Sequence, residues 1–118
     1  MEIKIFRHLG EQVAEISSET VIITNTLDAL DLMADCQYRG AEIIILYANN
    51  LIPAFFDLKT GIAGDILQKF STYRMKLAII GDFSKYSSKS LNDFIYESNK
   101  GGQILFVASL NEALLKMK

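Results

Sequence analysis

Two polar clusters in the 118-residue sequence hold the side chains best suited to chemistry. Each cluster follows an apolar run of the kind that forms a buried strand, where the loops of a parallel sheet converge. Hydroxyl, ammonium and carboxylate groups at such an end could hold a ligand or a protein partner, although no residue is assigned as catalytic. The candidate binding residues are Asn49, Asn50, Asp57, Lys59, Thr60, Asp82, Ser84 and Lys85.

Both clusters also have simpler structural explanations. Asp82 could act as a general base or metal ligand, but an aspartate after a strand and a glycine more often tightens a turn. The segment 59–64 has the flexible backbone of an anion cradle, yet it lacks the residue order of a P-loop or a dinucleotide site. Gly61 and Gly64 would instead allow a helix to pack closely on the sheet, which is the favoured interpretation.

The single cysteine and the single histidine offer little catalytic chemistry. Cys36 could be a nucleophile, but it shares a helical stripe with Ala29 and Met33, which favours a small buried residue. His8 could be a general base, although a solvated residue at the end of a strand is favoured. One thiol and one imidazole do not make a zinc site, so neither a metal nor a cofactor is expected.

Composition limits the class of protein. At this length, with 50% hydrophobic residues, the chain should form a single domain with one hydrophobic core. A net charge of −2 with interspersed signs disfavours nucleic acid as a partner. The longest apolar runs have strand length, so no membrane span is expected. The alternating start, residues 1–7, does not resemble a secretory signal, which predicts a cytoplasmic protein.

Hydrophobic periodicity predicts an α/β fold with a mixed, mostly parallel five-stranded sheet. Residues 2–7 and 12–16 alternate as an antiparallel hairpin does, and the hairpin strand is expected at an edge of the sheet. Three nearly continuous apolar segments, Glu42–Ala48, Lys76–Gly81 and Gln103–Ala108, predict interior parallel strands with helices on both faces. Val21–Ile23 could be either a short strand or a lead-in to the first helix.

Helical spacing separates these strands. Leu27, Leu30, Met33, Ala34 and Tyr38 mark a first helix over 27–39, and a second is expected from Asp57 onward. Ser90 and Asp93 resemble a capping box at the start of a third helix, which the glycine pair 101–102 would end. Ser109 and Glu112 predict the start of a short terminal helix.

The order of elements and three longer runs carry a resemblance to known families. The runs 50–65 (NLIPAFFDLKTGIAGD), 73–84 (YRMKLAIIGDFS) and 89–99 (KSLNDFIYESN) resemble an uncharacterised bacterial family, domain of unknown function 4180. The topology as a whole resembles the domain shared by sulfate transporters and anti-sigma factor antagonists. In those antagonists a partner kinase phosphorylates a serine or threonine near the start of a helix, and the resemblance implies that Thr60 is the counterpart here.

Two functions of different class remain open from the sequence, and a structural role in a larger assembly through an exposed edge strand is a third. The first is a non-enzymatic regulatory or protein-binding module, whose partner is another protein or a second copy in a homodimer. The alternative is a sensor or enzyme that binds a small anionic ligand in the loops at the strand carboxyl ends.

Overall fold

The first 17 residues form the predicted antiparallel hairpin. In the computed structural model, which describes residues 1–117, strand β1 (Glu2–His8) pairs with β2 (Glu11–Ser17) along its whole length. Leu9 and Gly10 connect them with φ angles of 51° and 85°. Positive φ at both central residues is what a two-residue turn needs if its twist is to match that of the strands.

Three further strands complete one mixed sheet. Strands β3 (Ile43–Tyr47), β4 (Lys76–Ile80) and β5 (Ile104–Val107) all run parallel to β2, and the strand order is β1-β2-β3-β4-β5. The sheet therefore has one antiparallel pair at its edge, which confirms the predicted fold class. The four helices are α1 (Thr26–Tyr38), α2 (Ile62–Thr72), α3 (Lys89–Gly101) and α4 (Leu110–Lys116).

The helices cover the two faces of the sheet unequally. Successive right-handed crossovers between neighbouring strands place their helices on one face, and α1, α2 and α3 pack there on side chains such as Ile44 and Leu77. The opposite face is packed by α4 and the residue that follows it: Ala113 and Met117 lie in one cluster with Ile45 and Val107. Helices do lie on both faces, as predicted, but one short helix covers the second face.

Two predicted helix starts differ from the structure. The hydroxyl of Ser88, and not that of Ser90, accepts an N–H of the first turn of α3, from Leu91 at 3.2 Å. The predicted capping box is wrong because Asp93 instead binds the ammonium group of Lys89 at 2.7 Å. Helix α2 begins at Ile62, after short 3₁₀ turns that start near Pro53.

The start of α4 agrees with its prediction, and the structure decides the conformation of the segment 21–23. Ser109 accepts the N–H of Glu112 at 3.1 Å and begins α4 as predicted. Of the segment 21–23, only Ile23 pairs with another strand-like residue, Leu51, through an isolated bridge. Within residues 1–117, none of the helices combines the length and apolar character that crossing a bilayer requires.

Candidate functional site

The two predicted polar clusters lie at the same end of the sheet, and aromatic rings join them. The clusters occupy the loops after β3 and β4, two parallel strands that end side by side. The Phe56 ring from the first loop stacks on Tyr86 from the second, with centroids 5.3 Å apart. Phe83 contacts Phe56 at 6.0 Å and Phe106 of β5 at 5.4 Å. An apolar layer, more than any convergence of polar groups, therefore holds this end together.

Within the first cluster, the two asparagines have opposite environments. Asn49 is exposed, whereas Asn50 is fully buried. The side-chain amide of Asn50 donates to Ser18 and Thr20 in the loop before α1, and its oxygen accepts the N–H of Tyr47. Its hydrogen-bonding groups are thus occupied inside the protein, and Asn49 is the asparagine that faces solvent.

Asp57, Lys59 and Thr60 form the turn that leads into α2. The Asp57 carboxylate accepts the N–H of Lys59 at 3.3 Å. The Thr60 hydroxyl lies 2.8 Å from the carbonyl oxygens of both Ala54 and Asp57, and it accepts the N–H of Ile62 at 3.3 Å. Thr60 and Lys59 are exposed, so the hydroxyl is accessible although it is hydrogen-bonded.

The glycines of this turn do not bring the helix close to the sheet. Gly61 has a φ of 77°, the left-handed conformation that glycine adopts without strain, and it sits where α2 begins. A Cβ atom added to Gly64 would meet no atom within 4 Å, and the residue is exposed. The close-packing interpretation of these two glycines is therefore wrong.

Asp82, Ser84 and Lys85 form a second tight turn. One Asp82 oxygen accepts both the N–H and the hydroxyl of Ser84, and these bonds lower the pKa of the carboxyl group. The Lys85 ammonium lies 5.4 Å from the centre of the Tyr86 ring. Asp82 thus has the hydrogen bonds of the turn-forming aspartate that the sequence favoured.

A hollow of about 420 Å³ lies beside this turn, at the carboxyl ends of β4 and β5. Asp82 and Glu112 line it, together with apolar side chains that include Phe106. The backbone N–H of Ala108 donates to Glu112 at 2.6 Å and lowers the pKa of that carboxyl group as well. Among the described residues, neither lysine nor arginine lines the hollow, so its charge disfavours an anion.

The remaining candidates for chemistry have structural roles. Burial, and secondarily the charge of Asp35, raises the pKa of the Cys36 thiol to about 11, which confirms the interpretation as a buried residue. The His8 Nε2 atom lies 2.8 Å from the carbonyl oxygen of Leu114 in α4, so the expectation of a solvated turn residue is wrong. Over residues 1–117, three or more potential metal ligands nowhere lie together.

Sequence reasoning missed an apolar surface on the outer side of α1. Leu27 and Tyr38 were placed on a single helical stripe, but the helix buries Met33 and Cys36 and leaves Leu27 65% exposed and Tyr38 92% exposed. The spacing of 27, 34 and 38 puts these positions on one line along the helix. Tyr73, at the end of α2 and 52% exposed, borders a shallow groove beside this line. We call Leu27, Ala34, Tyr38 and Tyr73 the α1 surface.

Acidic side chains border the α1 surface. Asp31 is exposed on the same outer side, and Asp28 and Asp35 follow the flank that faces β1. A hydrogen bond from the Thr24 hydroxyl, and a second from its N–H, lower the pKa of Asp28. Arg39 binds Asp35 at 3.0 Å, one turn away along the helix. The surface is thus apolar at its centre and negatively charged along one side.

Comparison with known proteins identifies a family and nothing more specific. The family described as "Domain of unknown function (DUF4180)" matches residues 8–117, nearly the whole chain. No curated protein and no solved structure matches this chain. The likeness to the anti-sigma factor antagonist domain therefore remains a resemblance in the order of elements.

Proposed function

We propose a non-enzymatic role in protein binding for this chain, which belongs to the DUF4180 family. The α1 surface is the proposed binding site. The observation that carries the proposal is the exposure of Leu27, Ala34 and Tyr38 on one line of α1, whereas the face of the helix that packs on the sheet is buried. Apolar side chains that lie together on a surface often mark a binding site, because a partner that covers them removes them from water.

The charges around the α1 surface suggest the chemistry of the partner. Asp28, Asp31 and Asp35 add negative charge beside the apolar line. A partner with an apolar ridge flanked by lysine or arginine would bury the apolar groups and pair the charges at the rim. Such rim charges mainly raise the association rate and discriminate against acidic partners.

The alternative, a sensor or enzyme for a small anionic ligand, has less support. The polar groups at the strand ends are largely used within their own turns, as the bonds of Asp82 to Ser84 and of Thr60 to Ala54 illustrate. The lowered pKa values of Asp82 and Glu112 mean that both are ionised at neutral pH, beside the hollow where such a ligand would lie. An anion that raises the melting temperature of the chain as its concentration increases would support this alternative.

The proposal is tested by comparing variants as baits for a protein partner. The full chain, Leu27→Asp and Tyr38→Asp are compared in extracts of the host cell, and the enriched protein is then purified for calorimetry. Tyr96→Asp is the matched control, because Tyr96 is 63% exposed but lies on α3. Loss of one central contact should weaken binding by about tenfold, since such contacts typically contribute more than 1 kcal/mol.

The binding of the four proteins decides whether the α1 surface is the binding site. A partner that binds the full chain and Tyr96→Asp, but binds Leu27→Asp and Tyr38→Asp weakly, supports the proposal. Equal binding by all four proteins, or no specific enrichment, contradicts it. Circular dichroism of each variant establishes that the substituted chains are folded.

Regulation at Thr60 forms the second part of the proposed function. The exposed hydroxyl sits at the start of α2, where added negative charge is favourable for the helix. A phosphoryl group on Oγ1 would remove the hydrogen that the hydroxyl donates to the Ala54 and Asp57 carbonyls. The modification would then loosen the turn between β3 and α2.

A further inference from the structure

The two edges of the sheet are protected to different degrees. At the β5 edge, the Asn99 side chain donates to the carbonyl oxygen of Phe106 at 3.1 Å and accepts its N–H at 2.7 Å. The Ser98 hydroxyl donates to the carbonyl oxygen of Ile104 at 2.7 Å. Helix α3 therefore occupies the backbone groups of β5 that another strand would use.

The outer edge of β1 has no comparable protection. Hydrogen bonds alternate along an antiparallel pair, and the pair that closes a two-residue turn, here His8 with Glu11, bonds inward. The backbone groups of Ile3, Ile5 and Arg7 consequently point outward. Within residues 1–117, no side chain and no loop hydrogen-bonds to them.

We propose that β1 pairs antiparallel with β1 of a second copy of this chain, about a two-fold axis at Ile5. The pairing joins the two sheets edge to edge into one continuous sheet. It uses the edge of the sheet and not the apolar line of α1, although Asp31 borders both, and it does not depend on the proposed binding function. The two-fold axis makes every contact occur twice, as in most homodimers.

The charge sequence of β1 selects this register. Centred on Ile5, the pairing places Glu2 opposite His8 and Lys4 opposite Phe6, and all of β1 takes part. Centring the pairing on Lys4 places the two Lys4 side chains directly opposite each other, and centring it on Phe6 carries Glu2 past the end of the partner strand. Like charges directly across a strand pair are destabilising, so the register centred on Lys4 is disfavoured.

The helix-bearing face of the sheet supplies a second complementary contact. Ile3 and Ile5 are half-buried on that face, and strand alternation puts Arg7 on it too. In the proposed register Arg7 of the second copy lies beside Ile3. Met1, two residues before Ile3 in the chain, lines a groove of about 400 Å³ together with Asp31 of α1.

Asp31 is a suitable partner for that arginine. Its carboxylate is exposed and forms no ion pair within the part of the chain that the structure describes. Arg7 is also exposed, and its guanidinium donates to the carbonyl oxygen of Gly10. Pairing Arg7 of each copy with Asp31 of the other would add two ion pairs to the apolar contacts between Ile3 and Ile5 of the two copies.

Sedimentation equilibrium of the purified full chain tests the proposal. The wild-type chain should dimerise reversibly with concentration. Arg7→Asp and Asp31→Arg should each weaken the dimer by about tenfold, because both symmetric charge contacts become repulsive. An equimolar mixture of the two variants should restore it as a heterodimer, because each substituted residue then faces an opposite charge.

A charge-matched variant and hydrogen exchange test whether the dimer forms through β1. Arg74→Asp makes the same change of charge at another exposed arginine and should leave the dimer intact. Hydrogen exchange at Ile3, Ile5 and Arg7 should slow as the protein concentration rises. A chain that stays monomeric close to millimolar concentration overturns the proposal. A dimer that Arg7→Asp and Asp31→Arg leave unchanged, and that does not protect these amides, also overturns it.

Discussion

The side-chain amide nitrogen of Asn50 lies 2.9 Å from the carbonyl oxygen of Ser18, 32 residues earlier in the chain. The same nitrogen lies 3.0 Å from the carbonyl oxygen of Thr20, and the Asn50 backbone carbonyl accepts the N–H groups of Ile22 and Ile23. Asn50 is the fully buried polar residue of the described core. It therefore fixes the β2–α1 loop to the end of β3.

Replacing Asn50 should destabilise the fold. Asn50→Ala removes the hydrogen bonds to Ser18, Thr20 and Tyr47, each with a net worth of about 0.5–1.5 kcal/mol, and takes volume out of a fully buried position. Denaturation by urea measures the change in the free energy of unfolding. Asn49→Ala is the control, since an exposed substitution usually changes stability by less than about 0.5 kcal/mol. Equal stabilities for the two variants would contradict this role.

The sheet could be predicted because its residues carry the signal locally. Ile43–Leu46 and Leu77–Ile80 are buried on both faces, so continuous apolar runs mark them without knowledge of their neighbours. The sequence did not show in the same way which face of α1 is buried. Apolar residues occur around much of that helix, and the face that meets the sheet is set by the β2-to-β3 crossover.

The common location of the two polar clusters was predictable, but their contacts and the α1 surface were not. Parallel strands end at one edge of a sheet, which brings the segments 49–60 and 82–88 to the same end. The burial of Asn50 depends on a loop 30 residues away, and the Asn99 contacts at the β5 edge depend on how α3 packs. Neither partner can be identified from spacing along the chain.

Gly81 and Gly64 should respond oppositely to alanine. A Cβ atom at Gly81 would lie 2.7 Å from the Cβ of Ala48, so Gly81→Ala should cost about 1–3 kcal/mol through overpacking. Gly64 lies in α2 with open space around it, and Gly64→Ala should stabilise the chain by about 0.5–1 kcal/mol. Thermal denaturation of both variants measures the two signs. A lower melting temperature for Gly64→Ala would contradict the prediction.

Tyr47 should make stability fall at high pH. Its hydroxyl donates to Glu15 at 2.7 Å, and burial first, then this carboxylate, raises the pKa of Tyr47 to about 12. An unfolded tyrosine ionises near pH 10, so the contribution to stability is complete below about pH 10 and is lost as the pH approaches 12. Tyr47→Phe should lose less stability across that range. Parallel curves for the two proteins would show that Tyr47 does not titrate as described.

Thr60 should be both a modest stabiliser of its turn and the site of modification. Thr60→Val removes the donor to Ala54 and Asp57 and should cost about 0.5–1.5 kcal/mol, the usual net worth of a hydrogen bond. Thr60→Ser keeps the hydroxyl and is the matched control. Mass spectrometry of the chain from its host should find phosphate on Thr60, and hydrogen exchange in residues 57–61 should be faster in that form. A chain without phosphate on Thr60 under every growth condition would contradict the regulatory part of the proposal.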